Sequence, residues 1–317
     1  MGRFAALGAG AALGALGAAL YLAVLTGSPG ALILAYLAQL PLFAAGLWLG
    51  VGAAATAAVT ASIALLAAGG LIAAALFAAL YAVPVVLLVR QSLLARASAD
   101  GTLEWYPPGL LAAWLSGLGL VALAGAVMIL GGPDAIEALL RETLAPAVDR
   151  FVDESDAGRA ALTGLLALIL PGAIAASWMV MTASNAVLAQ GVLARFGAAW
   201  RPSPDLAALS LPMWFSALLA VAAVLAAVGG AARFVGVNML IVLSVPFCLA
   251  GLAVLHTAVR RLPRPQVPLV AFYVLAGLFG WPLLAVAVLG VLDAPLGLRR
   301  RFAPPAPVRS SGEKIDD

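Results

Sequence analysis

Polar and apolar positions follow a coarse pattern along this chain: long uncharged intervals separated by short clusters of Arg, Asp and Glu. Residues 4–89 hold no charged side chain and no His. Further stretches without Asp, Glu, Lys or Arg are 105–133, 160–194, 206–232, 234–259 and 265–292. About 20 apolar residues cross the roughly 30 Å hydrocarbon core as a helix, so each of the last five predicts one crossing. As one helix the first interval would be about 130 Å long, and it must fold back on itself. Gly27-Ser28-Pro29-Gly30 reads as a turn, with further breaks at Gly50 to Gly52 and Gly69-Gly70. Helices are therefore predicted near 4–26, 31–50, 52–69 and 71–90. Lipid cannot satisfy loose backbone groups, so the expected fold is an all-α polytopic transmembrane helical bundle with eight to nine crossings.

Two segments depart from that pattern. In 134–152, Ile136, Leu139, Leu140, Leu144, Val148, Phe151 and Val152 recur near helical spacing with acids between them. This predicts an amphipathic interfacial helix, broken near Pro146, within an acidic outer loop at 132–159. Residues 299–317, with Pro304, Pro305 and Pro307, read as a basic flexible tail following a single membrane domain at 1–298.

Composition agrees: 64% hydrophobic, 10% charged, mean hydropathy +1.11, against about 25% charged in soluble domains. The net charge of +3 comes from Arg in short loops, which points to membrane orientation rather than nucleic acid. A cytoplasmic N-terminus puts Arg3, Arg90, Arg96, Arg195, Arg201, Arg260, Arg261 and Arg264 inside and the acidic loop outside. Nine crossings would put Arg299 to Arg301 outside, against the rule. A re-entrant or broken segment around Trp281-Pro282 would return them. The first apolar stretch runs well past a signal-peptide h-region, so it is expected to remain as the first helix.

Chemistry is sparse. Cys248 and His256 are single, and Lys314 is the only Lys. That rules out an internal disulfide, a familiar zinc set and a phosphate-loop lysine. No Gly-x-Ser-x-Gly elbow occurs and no span carries an internal carboxylate, so neither enzymatic activity nor a cofactor is expected. Polar side chains within spans are the better lead, because each needs a partner or a cavity. Trp178, Thr182 and Asn185 share a helix face at i, i+4, i+7, with Ser177 and Ser184 beside them. Asn238 is a further candidate binding residue. His256 lies about 27 Å along the same helix and reads as interfacial. Gln39, two residues before Pro41, falls where a helix could open, and Pro84, Pro171, Pro246 and Pro282 also interrupt apolar spans. On the first helix Ala6, Gly10, Gly14 and Ala18 form a small-residue ladder, a candidate docking face for another membrane subunit. Asp293 faces Arg299 to Arg301 across a short turn and reads as an ion pair.

Pro41-Leu42-Phe43 through Gly46-Leu47-Trp48-Leu49-Gly50, Leu211-Pro212-Met213-Trp214, and Gly290-Val291-Leu292-Asp293 leading to Arg299–Arg301 resemble the YybS-like bacterial membrane proteins, domain of unknown function 2232. Asn238 and the Gly251-containing half of its span fit as well. That family is in turn distantly similar to substrate-binding subunits of energy-coupling-factor transporters, which capture a vitamin or metal and dock through a small-residue face on their first helix. The resemblance implies a multi-pass protein of the bacterial inner membrane acting as a substrate-capture or transport component. The alternative is a non-catalytic scaffold or envelope-biogenesis protein working through helix packing. Expected partners are the lipid bilayer and a membrane subunit on the first helix, with no nucleic acid.

Overall fold

In a computed structural model the described residues are 2–99, 101–205 and 209–302. Residues 303–317, most of the expected tail, lie outside them. The order is α1 (Arg3–Leu22, extended by a 3-10 turn Ala23–Thr26), α2 (Pro29–Tyr36), α3 (Gln39–Leu49), α4 (Val51–Phe77), a π-helical turn Ala78–Ala82, and α5 (Val83–Ser92). A small hairpin of β1 (Ala95–Ala97) and β2 (Leu103–Trp105) follows. Then come α6 (Pro108–Ile129), α7 (Pro133–Phe151), α8 (Asp156–Arg195), α9 (Met213–Val228), α10 (Gly230–Val259), α11 (Gln266–Phe279), α12 (Trp281–Leu296) and α13 (Leu298–Phe302). The all-α membrane class expected from the charge pattern is what the chain adopts.

Six stretches among the described residues are long and apolar enough to cross a bilayer: 3–26, 30–49, 51–92, 108–129, 156–195 and 230–259. The pair 266–296 makes a seventh if counted as one span. This is below the eight to nine expected, for two reasons. The stretch 51–92 is one run of 42 residues, yet at its middle Gly70 takes φ 78°, ψ −176°, which breaks the helix where only glycine sits without strain. A Cβ built on Gly46 would lie 2.6 Å from Val89 and 2.9 Å from Ala54. In a straight helix Ala54 and Val89 would be about 52 Å apart, so the chain reverses at Gly70 into two legs. The other reason is α9, which at 16 residues is short of a full crossing.

Two compact units divide the chain, one of residues 1–205 and 210–246, the other of 206–209 and 247–317. In the first, α1 packs on α4 and α3, and α8 takes α3, α6 and α7 against its sides. The ladder on α1 explains its close approach to α4. A Cβ on Gly10 would meet the Ala53 carbonyl oxygen at 2.7 Å, and one on Gly14 the Cα of Ala57 at 2.7 Å. Small residues thus let the two backbones touch in parallel. Gly10, Gly14 and Ala18 are buried and Ala6 is half-buried, so the face considered for docking another subunit is covered by the chain's own helices. Tyr21, Phe77 and Tyr81 close the packing above it, with ring centroids 5.1–5.3 Å apart.

The amphipathic segment is helical as its spacing predicts, but α7 runs unbroken through Pro146. Its apolar face buries Ile136 and Val148, and Ile136 packs with Leu168 and Phe234. Ser155 caps α8 by accepting from the Gly158 N–H at 3.2 Å.

In the second unit, α11 and α12 meet at Gly280 (φ 69°) with a bend of 118°. Arg261, just after α10, donates its Nη2 to the Arg301 carbonyl at 2.7 Å. The chain leaving α12 therefore returns to the loop that feeds α11, as a re-entrant pair would. Asp293, 5% exposed, accepts from the Arg299 backbone N–H at 3.0 Å and its Nε at 2.7 Å. Residues 299–302 of the expected tail are thereby held within α13. Gly251 and Gly290 seat α12 on the second half of α10, their Cα positions facing the Val286 and Phe247 carbonyls.

Candidate functional site

Two of the first unit's membrane stretches, 30–49 and the leg after Gly70, are interrupted at mid-depth, and α8 lies against them. Leu40 donates its N–H to Leu37 at 3.0 Å, because α2 ends and α3 begins in this turn. The Tyr36 carbonyl thereby loses its usual i+4 donor. Residue 84 is proline, so the Leu80 carbonyl, inside the π turn, also lacks an i+4 N–H. Side chains supply the missing donors. Asn185 Nδ2 donates to the Tyr36 carbonyl at 2.8 Å and to its own Met181 carbonyl at 2.9 Å. Trp178 Nε1 donates to the Leu80 carbonyl at 2.7 Å, and Gln39 Nε2 reaches the same oxygen at 3.4 Å. Tyr36 OH meets Ser177 Oγ at 2.8 Å at the exposed rim.

This arrangement has a consequence for the oxygens. Each amide nitrogen is turned towards a carbonyl, and flipping either amide would set oxygen against oxygen. Gln39 Oε1 and Asn185 Oδ1 must therefore point the other way. Both are fully buried acceptors without a partner, and the Thr182 hydroxyl, able to accept or donate, also has none between Trp178 and Asn185 on the α8 face. Gln39, Thr182 and Asn185 are 0–1% exposed. An unmatched buried polar atom costs about 1–3 kcal/mol, so three along one seam create a demand for hydrogen-bond donors. Gln39 stands halfway along 30–49, Leu80 near the middle of the leg after Gly70, and Trp178 near the middle of 160–194. The seam sits at the depth of the bundle centre.

Asn238, on α10, meets α8 elsewhere. Its Oδ1 accepts the Gly172 N–H at 2.5 Å, and its Nδ2 donates to the Leu168 carbonyl at 3.0 Å and the Phe234 carbonyl at 2.7 Å. In a regular helix Gly172 N–H and Leu168 C=O are each other's i→i−4 partners. Asn238 straddles that pair next to Pro171, which disturbs the ladder. Gly172 makes room, since a Cβ there would lie 2.8 Å from Asn238 Oδ1 and 3.0 Å from its Cα. The structure thus brings Trp178, Thr182 and Asn185 together and leaves Asn238 about two turns or more along α8, braced against backbone.

At the far end of α8, Gln190 donates to the Arg201 carbonyl at 2.7 Å, and Arg201 Nη1 donates to the Ser92 carbonyl at 3.1 Å. Arg201 is 6% exposed, and burial pushes its guanidinium below the ordinary value. It caps the C-terminal end of α5, where a cation is favoured.

Tyr36 and the Leu80 carbonyl were not evident as site groups from residue types. The usable signal for Leu80 is Pro84 four residues on, the spacing at which a proline frees a carbonyl. Among the described residues no cluster of His, Cys, Asp and Glu is suited to a metal.

Nothing among curated proteins or solved structures matches this chain. Residues 15–294, most of its length, match the model of the family described as Predicted membrane protein (DUF2232), and the protein belongs to that family.

Proposed function

We propose that this protein is a non-enzymatic component of the bacterial inner membrane that captures a small, donor-bearing solute at mid-depth, as part of transport. The observation that carries the reading is the set of three buried, unpartnered oxygens, the acceptors Gln39 Oε1 and Asn185 Oδ1 and the Thr182 hydroxyl, beside interrupted helices. Discontinuous helices at the membrane midplane are where carriers commonly place their sites. The seam offers amides, a hydroxyl, an indole and phenols rather than ionised groups, which suits holding a solute and gives little for acid–base chemistry. It favours a guest rich in O–H or N–H donors. The orientation that goes with this reading has a cytoplasmic N-terminus and α7 outside, and the re-entrant α11–α12 pair returns Arg299 to Arg301 to the cytoplasmic side.

Thr182→Val is the discriminating test. It removes one unpartnered oxygen without removing a hydrogen bond. Native mass spectrometry of the gently purified protein should show a small-molecule adduct on the wild type that is lost in Thr182→Val and Gln39→Leu. Thermal stability of the ligand-free Thr182→Val protein should hold or rise by about 1 kcal/mol. A wild type without adduct, behaving identically to Thr182→Val, would reject capture.

The second reading is a packing scaffold. It is favoured by the use of Trp178 and Asn185 nitrogens to brace helix breaks. Under that reading Thr182→Val leaves both adduct and phenotype unchanged, whereas Asn185→Leu destabilises the fold.

A further inference from the structure

A second site lies away from the seam, where α7 crosses the beginning of α8 and the start of α10. A cleft of about 360 Å³ opens there, lined by Asp134, Glu137, Arg141, Gly164, Leu168 and Arg233 among others. That volume falls in the range of small-molecule sites, which begin at roughly 300 Å³. One wall is charged and comes from α7. The other is apolar and belongs to the uncharged stretch 160–194. The cleft thus straddles the level at which charged sequence gives way to membrane-spanning sequence, where lipid headgroups reside.

Its charges are arranged in a particular way. Glu137 and Arg141 pair with each other at 2.8 Å and cancel. In the adjoining groove, Arg159 is held by Asp149 at 3.3 Å and by Asp156. Asp134 and Arg233 differ: among the described residues neither forms an ion pair, although both line the same cleft. The cavity therefore presents one available carboxylate and one available guanidinium, too far apart to bridge directly, with no net charge. A simple anion would be attracted by Arg233 and repelled by Asp134, and a simple cation the reverse. Only a ligand carrying both signs gains at both ends. Gly164 adds no side chain to the lining, and a Cβ there would meet only the Arg141 guanidinium, at 3.9 Å.

We propose that this cleft binds a phosphate–ammonium zwitterion of the phosphoethanolamine type, phosphate on Arg233 and ammonium on Asp134. The apolar wall at Leu168 would take the first carbons of an attached acyl chain when the source is a lipid.

The full-length protein in a maltoside detergent should be titrated with dihexanoyl phosphatidylethanolamine, dihexanoyl phosphatidylglycerol and free O-phosphoethanolamine, with bound molecules counted by native mass spectrometry. The expected result is a preference for phosphatidylethanolamine over phosphatidylglycerol of roughly fivefold, the size of one partly exposed ion pair. Asp134→Asn should abolish it, Arg233→Gln should weaken both lipids alike, and Arg233→Lys should keep the wild-type affinities. Asp134 and Arg233 are exposed, so these variants test recognition rather than folding. Free O-phosphoethanolamine binding as tightly as the lipid would support the same recognition with a soluble ligand. Weaker binding of the free compound would support the lipid. Equal binding of the two lipids by the wild type, a preference that survives Asp134→Asn, or lipid affinities unmoved by Arg233→Gln would overturn the proposal.

Discussion

Asn238→Leu is the sharpest test of how this bundle tolerates its broken helices. The wild-type amide makes three hydrogen bonds in a fully buried position. Phe234 C=O keeps its own i+4 helical donor after the change, so its loss is small. Gly172 N–H and Leu168 C=O lose their side-chain partner beside Pro171. An unsatisfied buried group costs about 1–3 kcal/mol, which sets an upper range of about 2–6 kcal/mol for the two. Membrane proteins moderate such costs, because the unfolded state inside lipid also finds partners, and hydrogen bonds there average about 0.6 kcal/mol. Three bonds at that value give a floor of about 2 kcal/mol. The expected destabilisation is therefore about 2–4 kcal/mol, measured by steric trapping or reversible unfolding in mixed micelles. Pro171→Ala supplies the second arm. It restores an N–H and relieves the ring clash, so Gly172 and Leu168 can pair with each other. In that background Asn238→Leu should cost at least about 1 kcal/mol less. A single-variant effect under about 0.5 kcal/mol, or a cost unaltered by Pro171→Ala, would refute the bracing role.

Other outcomes follow from the same geometry. Gly14→Leu must push α1 off α4 and should destabilise by about 3 kcal/mol or prevent folding, while Gly8→Leu, whose Cβ meets nothing within 4 Å, should melt like the wild type. Asp293→Asn should weaken the hold on Arg299 by about 1–3 kcal/mol and speed amide exchange across 298–302, with little change in α1 to α6. Glu104 accepts a hydrogen bond from Arg96 across the β1–β2 hairpin, which lowers its carboxyl below the usual range. A folded value below the unfolded one contributes stability above the unfolded pKa and loses it as pH falls through the folded value. Backbone exchange in 95–97 and 103–105 should therefore rise on acidification, and Glu104→Gln should remove that dependence.

The turn residues and prolines carried more of this fold than the helices' own periodicity did. Nearly every face of a lipid-embedded helix is apolar, so hydrophobic patterning cannot say which side meets protein. Gly69-Gly70 stood out because an uncharged stretch too long for one span needed reversals, and Trp281-Pro282 because the positive-inside rule needed Arg299 to Arg301 returned. Crossing number was harder to read, since a 16-residue α9 and the bent α11–α12 pair carry span-like composition without span-like geometry. Proline 146 illustrates the opposite error: tertiary packing of Ile136 and Val148 keeps α7 continuous through a residue that by itself predicts a break.

The sequence by itself determined membrane residence, the all-α class, most helix boundaries, and the face on which Trp178, Thr182 and Asn185 fall together. These depend on local chemistry: the cost of burying charge in lipid, the spacing of a helix turn, the backbone freedom of glycine. Only the tertiary structure decided what each polar group does. Asn185 and Asn238 are the same residue type in similar apolar surroundings. One leaves its oxygen without a donor beside two opened helices, and the other spends both ends of its amide on Gly172 N–H and Leu168 C=O of a neighbouring helix. The difference lies in which backbone carbonyl stands opposite, and that is set by helices far apart in sequence.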